Sequence, residues 1–206
     1  CGRAMISKGL LQRAKQMAAR NLAALAPYAE AGLPIVGLEP SCLLTFRDEY
    51  LDFYPDDPRT TALAEKAVLI EELLIQPSAD GSRPIDRLRF ASPAAPVLFH
   101  GHCQAKALVG TQTTFEMLRA TGADVVEIDS GCCGMAGSFG YESEHYDLSM
   151  QIGEMRLFPA IREGKGAIVA AAGASCRTQI LDGTGVHARH PIEILAEALV
   201  DPATAP

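Results

Sequence analysis

Long apolar runs are missing from this chain. A bilayer-spanning helix needs ~18–20 consecutive apolar residues. The best candidate, Ala167 to Ala172, has only the length of a buried strand, so no transmembrane segment is expected. A secretory signal is missing too, because Arg3 and Lys8 lead into an amphipathic stretch and not an apolar core. No long basic tract occurs, and a net charge of −7 argues against a nucleic-acid partner. Nor is there an initiating methionine, since the chain begins at Cys1. A lipidated terminal cysteine would be followed by a polar tether, which is not there, so a piece of a longer polypeptide is expected. The short paired-cysteine knuckles favoured by structural zinc are also absent.

What is there is an ordinary globular composition, 48% hydrophobic and 21% charged over 206 residues. That is enough for one large α/β domain or two small ones. Six cysteines occur in it. With no secretory signal they imply a reducing, cytoplasmic setting, where cysteines read as metal or redox ligands before disulfides. Peripheral attachment to the inner face of the cytoplasmic membrane is compatible with that.

Periodicity orders the chain. Ile6, Leu10, Ala14, Met17, Ala18, Leu22 and Leu25 predict a helix from Met5 to Ala31, closed by Gly32 and Pro34. Ile35 to Leu38 is a short apolar strand leading into Glu39-Pro40-Ser41-Cys42, and Leu43 to Phe53 reads as a second helix. A helix capped by Thr60 or Thr61 is expected to run to Gln76. The punctuated stretch from Pro77 to Pro96 follows, with Leu88 and Phe90 as an edge strand. The boundaries drawn are residues 1–80, a linker at 81–96, and residues 97–206.

The second half alternates: strand Val97 to His100, helix Ala105 to Thr121, strand Val125 to Ile128, helix Ser143 to Glu163, strand Ala167 to Ala172. Helix Thr178 to Leu181, strand Val186 to Arg189 and helix Ile192 to Val200 complete it. Such alternation implies right-handed crossovers and parallel sheets. The expected class is α/β, with two pseudo-repeated, Rossmann-like halves.

Cys103, the Cys132–Cys133 pair and Cys176 each follow a predicted strand. In a parallel sheet these turns share one edge, where open α/β folds bind ligands. Adjacent side chains on a regular element point apart, so Cys132 and Cys133 can face one object only in an irregular loop, which Gly131 and Gly134 permit. A weak repeat supports the grouping: Cys1-Gly2 to Ser41-Cys42 mirrors Cys133-Gly134 to Ser175-Cys176 in spacing and pattern. An iron–sulfur cluster suits thiolates drawn from separate loops. A vicinal dithiol cycling through disulfide at Cys132 and Cys133, and a zinc site, stay open.

Gly131-Cys132-Cys133-Gly134, with His102-Cys103 before it and Ser175-Cys176 after it, resembles the cysteine-rich CCG domain. That domain occurs, usually twice in tandem, in heterodisulfide reductase, the glycolate oxidase iron–sulfur subunit and the small subunit of anaerobic glycerol-3-phosphate dehydrogenase. Gly37 to Cys42 and Gly131 to Glu142 look most like the carboxyl-terminal part of fused proteins. In those, a flavin-dependent 2-hydroxyacid dehydrogenase domain precedes ferredoxin-like and CCG modules.

The resemblance implies an electron-transfer module serving oxidation of D-lactate, glycolate or D-2-hydroxyglutarate. Cys103, Cys132, Cys133 and Cys176 would hold a 4Fe–4S type cluster, with Cys1 and Cys42 left from an incomplete first motif. FAD would sit on an upstream domain of the same or a partner polypeptide, beside a ferredoxin-like domain, with a quinone or another acceptor downstream. Thiol–disulfide reduction and a zinc-bearing docking module are the alternatives. Two departures stand out. Cys176-Arg177-Thr178-Gln179 lacks the second cysteine of the five-thiolate version, and Gln104 stands where related chains often carry histidine.

Other residues read more quietly. His100 and His102 are structural histidines or pocket-lining groups, His145 a surface residue and His190 a helix start. Lys106 is either exposed or set to offset a cluster's negative charge. Gly134, Gly137 and Gly140 lack the context of a phosphate loop. Glu39 and Asp129 read as polar loop groups.

Overall fold

A computed structural model describes residues 1–200. The first part contains α1 (Arg3–Ser7), α2 (Leu11–Glu30), β1 (Ile35–Gly37), α3 (Pro40–Arg47), α4 (Glu49–Phe53), α5 (Pro58–Lys66), β2 (Ala67–Leu69) and α6 (Ile70–Ile75). A 3₁₀ turn at Pro84–Arg87 follows. Then come β3 (Val97–His100), α7 (Cys103–Leu108), α8 (Gln112–Ala120), β4 (Val125–Glu127), α9 (Tyr146–Met155), α10 (Leu157–Glu163), β5 (Ile168–Ala171), α11 (Ala174–Thr184) and α12 (Pro191–Ala198).

The protein is α/β, with two small parallel sheets. Strands β1 and β2 form one sheet, Ile35 opposite Ala67 and Gly37 opposite Leu69. The other has the order β4-β3-β5, with β3 central and parallel to both neighbours. Ala170 and Arg189 add a single parallel bridge beyond β5. The segment Val186 to Arg189 thus contributes one bridge and not a full strand. Phe90 makes an antiparallel bridge with Leu199, the only pairing of the anticipated edge strand among the described residues.

Several helices are shorter than their periodicity suggests. The expected helix from Met5 divides at Gly9, whose φ of 70° ends the first segment. Leu10 is exposed, and α2 buries Ala14, Ala18, Leu22, Ala26 and Ala29, a small-residue stripe that lets α5 approach closely. The expected helix to Gln76 is interrupted by β2. Ala-Val-Leu continues a helical apolar pattern in sequence, but here it pairs with β1 and buries Ala67 and Leu69. Its cap is Asp57, whose Oδ1 accepts from the Arg59 amide at 3.0 Å, not Thr60 or Thr61. Gly110, at φ 78°, separates α7 from α8, and Arg156 separates α9 from α10.

The core lies under both sheets. Val97, Phe99, Leu118, Val125, Ala170 and Ile194 fill one side of the three-stranded sheet; Ile128, Leu157, Phe158, Ile161, Val169 and Ile180 fill the other. A further cluster joins Ile75 and Ile85 to Met117 and Leu195, so the two parts of the chain share buried surface. Burying such a side chain contributes about 1.5–3 kcal/mol.

Candidate metal centre

The carboxyl ends of β3, β4 and β5 open onto a cavity of about 500 Å³, lined by His102, Cys103, Cys132, Cys133, Ser175 and Cys176 among others. Each cysteine arrives as the topology requires. Cys103 begins α7, shortly past the end of β3 at His100. Cys132 and Cys133 occupy the irregular loop after β4. Cys176 is the third residue of α11, inside its first turn and not ahead of the helix as the sequence suggested. There the free amides and the helix dipole favour a thiolate.

The Cys132–Cys133 loop is held in an unusual shape. Gly134 has φ 102° and Ala136, unusually for a residue with a side chain, φ 44°. Such conformations persist only where the surroundings enforce them. Gln179, buried on α11, donates from Nε2 to the Ser149 carbonyl at 3.1 Å and to Ser149 Oγ at 2.9 Å, against the same Gly134 backbone. The turn brings the Gly134 amide to 3.3 Å from Cys132 Sγ.

Hydrogen bonds push the pKa values of the four sulfurs in alternating directions. Cys132 is held far below the usual thiol range by hydrogen bonds from Cys103 and Cys133, assisted by the Gly134 and Ala136 amides. Cys176 is lowered by a hydrogen bond from Cys133. Cys103 and Cys133, the donors, are correspondingly raised by those bonds and by burial. Cys103 and Cys133 thus act as donors to Cys132 and Cys176 in one network of sulfurs whose protons a cation could replace.

A ring nitrogen of His100 and the sulfurs of Cys133 and Cys176 lie within 4.8 Å of one another, all buried. His102 is structural: its Nδ1 accepts the Gln104 amide at 3.2 Å and caps α7. His190 caps α12 and its Nε2 contacts the Leu38 carbonyl at 2.8 Å, across the two parts of the chain. His145 precedes α9 and stacks on Phe139. Lys106 bonds the Ser130 carbonyl, bracing the cysteine loop.

Cys1 and Cys42 meet separately, 2.9 Å apart, in an adjoining cleft of about 410 Å³ that shares Arg3, Ser41, Gly137 and Ser175 with the larger cavity. Glu39 lies between the two. It accepts from Ser41 Oγ at 2.8 Å and from the Ala174 amide, the start of the Cys176 helix, at 2.7 Å. In sequence Glu39 reads as a polar loop group, although its place ahead of Pro40-Ser41-Cys42 is a visible cue to this role. Asp129 pairs with Arg156 at the surface.

This geometry is that of a cysteine-rich domain at a parallel-sheet edge, and residues 97–181 match the family model of the cysteine-rich CCG domain. Over 96% of its length the chain is 33% identical to D-2-hydroxyglutarate dehydrogenase of Escherichia coli K12. It is 29% identical to a subunit of the anaerobic glycerol-3-phosphate dehydrogenase and 26% identical to the glycolate oxidase iron–sulfur subunit. Both of these are also from Escherichia coli K12, and each match covers 97% of the chain. The chain spans 19%, 49% and 48% of those three relatives, respectively. No solved structure shows a significant match. No helix among the described residues is long and apolar enough to cross a membrane.

Proposed function

We propose that this chain is the iron–sulfur electron-transfer module of a flavin-dependent 2-hydroxyacid dehydrogenase. The observation that carries it is the gathering of four thiols from three strand ends into one cavity, in a domain whose relatives include an iron–sulfur subunit. The donor set fits a cluster: Cys103, Cys132, Cys133 and Cys176 line one cavity as four sulfurs whose protons leave on metal binding, and the surroundings of Cys132 and Cys176 already favour the thiolate. A 4Fe–4S cluster held there supplies a one-electron station between a two-electron flavin and its acceptor.

The protein's own residues order and insulate that station. The amides of Gly134 and Ala136 stabilise negative charge on Cys132, and Lys106 ties the loop to α7. Burial of Cys133 and Cys176 keeps water from their sulfurs. Cys1 and Cys42 belong, in this reading, to the incomplete first motif of a tandem pair, with halves at residues 1–80 and 97–206 joined by 81–96. FAD and the 2-hydroxy acid bind to a preceding domain, a ferredoxin-like domain lies between, and a quinone or similar acceptor follows. The assembly works in the cytoplasm or on the inner face of its membrane.

Anaerobic reconstitution of the chain with iron and sulfide, followed by iron and acid-labile sulfide analysis, tests the reading. Equal, stoichiometric amounts of both and a signal from the reduced cluster in electron paramagnetic resonance are expected. Colourless protein with bound zinc, or metal-free protein with a titratable Cys132–Cys133 dithiol, overturns it.

A further inference from the structure

His100 ends β3, the central strand of the three-stranded sheet, and is 1% exposed. Its Nδ1 lies 2.8 Å from Ser130 Oγ, itself buried. The Ser130 hydroxyl has one proton, and Ile128 O lies 3.5 Å away to receive it. When that proton is engaged, Oγ accepts from Nδ1–H, and in this tautomer a neutral imidazole presents a lone pair at Nε2.

That nitrogen is buried and has no hydrogen-bond partner. Buried polar atoms in folded proteins are nearly always paired. Nδ1 being committed to Ser130, Nε2 is the atom free to meet the sulfurs of Cys133 and Cys176 in the trio that lies within 4.8 Å. A ligating histidine characteristically has its other ring nitrogen fixed by a hydrogen bond, which is the arrangement seen here. The fixing group is also the residue that opens the Ser130-Gly131-Cys132-Cys133 loop, so the imidazole and the cysteine pair are positioned together.

The side chain three residues beyond Cys176 does not compete for this place. It is Gln179, whose amide is spent on Ser149. The four thiols therefore lack a fifth sulfur from α11, while a buried ring nitrogen from β3 lies beside Cys133 and Cys176.

We propose that His100 ligates the metal centre through Nε2, making it a mixed thiolate–imidazole site. The inference rests on the proposed cluster. A coordinate bond forms from the Nε2 lone pair to iron; no electron changes hands, and in the Nδ1–H tautomer no proton leaves, because Nε2 carries none. A neutral imidazole leaves the site less negative than another thiolate would, which raises its reduction potential.

The test uses the iron-reconstituted chain grown with ¹⁵N-histidine and examined, reduced, by pulsed electron paramagnetic resonance. Iron and sulfide are assayed on the same samples. A directly bonded ¹⁵N coupling is expected in the unaltered chain and in His102→Gln, and none in His100→Gln, with iron retention reduced more than about tenfold. His100→Cys should retain a cluster at lower potential, which a purely structural histidine would not produce. Normal iron and sulfide without histidine coupling, or coupling that survives His100→Gln, overturns His100 alone. Absence of iron and sulfide overturns the cluster reading and the ligand together. If His100→Gln does not fold, the coupling in His102→Gln still decides, since it removes the other histidine near the cavity.

Discussion

The two parts of the chain solve the same local problem with different surroundings. In the first, Cys1 precedes Gly2 at φ 90° and Cys42 is the third residue of α3; in the second, Cys133 precedes Gly134 at φ 102° and Cys176 is the third residue of α11. The likeness continues past the cysteines. Strand β1 pairs in parallel with β2, as β5 does with Arg189 through one bridge. The Leu69 amide donates to Glu72 at 2.8 Å, and the His190 amide to Glu193 at 2.7 Å.

What differs is what stands beside each pair. Among the described residues, only the second part has strands like β3 and β4, and these deliver His100, Cys103 and Cys132. The repeat unit alone brings two sulfurs together; enclosing a cofactor takes the further strand ends. A shared helix start and a left-handed glycine therefore specify a cysteine pair, and sheet width determines whether that pair becomes part of a larger site.

The sharpest way to break the comparison is to remove one sulfur from each pair. Cys133→Ser should lower iron retention more than about tenfold, because it removes a proposed ligand and leaves a buried hydroxyl among sulfurs. Cys42→Ser should leave iron at the second site unchanged. Equal losses in both variants, measured by iron analysis after anaerobic reconstitution, would mean that the pairs act as one centre.

The equivalent glycines come next. Alanine at Gly2 meets only Ala14 atoms at 3.5 Å or more, so it costs the left-handed backbone penalty, about 1–2 kcal/mol. Alanine at Gly134 adds a collision with the Ser149 carbonyl and should cost about 3 kcal/mol or more. Urea unfolding of both variants reads the difference; equal costs would show that the second loop relaxes freely.

A smaller effect is expected where the parts join. Glu39→Ala removes the carboxylate that accepts the Ala174 amide and should destabilise by about 1.5–3 kcal/mol, with α11 and Cys176 losing protection in hydrogen exchange. Protection lost at α3 alone would mean that Glu39 serves only its own turn.

The smallest is a matter of pH. Glu71 of α6 is buried against Thr114 of α8, which donates to it at 2.9 Å, and burial raises its pKa. A raised carboxyl stabilises the fold below the unfolded pKa, and that contribution is lost as pH rises through the folded value. Glu71→Gln keeps an acceptor for Thr114 and removes this slope, so its thermal midpoint should gain on the parent by a few degrees near neutral pH and little in acid. A constant offset at every pH would rule out ionisation as the cause.

Much of the architecture was legible because its strands are short apolar runs between breakers. Val97 to His100, Val125 to Ile128 and Ala167 to Ala172 all sit where periodicity put them, within a residue at the ends. Strand β2 was not legible, since three apolar residues inside a helical pattern carry no period of their own and only pairing with β1 decides them. The helix breaks at Gly9, Gly110 and Arg156 were similarly hidden by apolar spacing that continues across them.

At the site, the order of cysteines along alternating strands and helices was enough to place Cys103, Cys132, Cys133 and Cys176 at one sheet edge. That follows because parallel topology sends every strand's carboxyl end the same way. The sequence by itself thus determined the class of fold, the grouping of thiols and the internal repeat. Only the tertiary structure decided that Ser130 occupies Nδ1 of His100 and leaves Nε2 unpaired, and that Glu39 reaches across to the Cys176 helix. Those depend on side chains far apart in sequence meeting within hydrogen-bond distance, where a displacement of about one ångström makes or loses the contact.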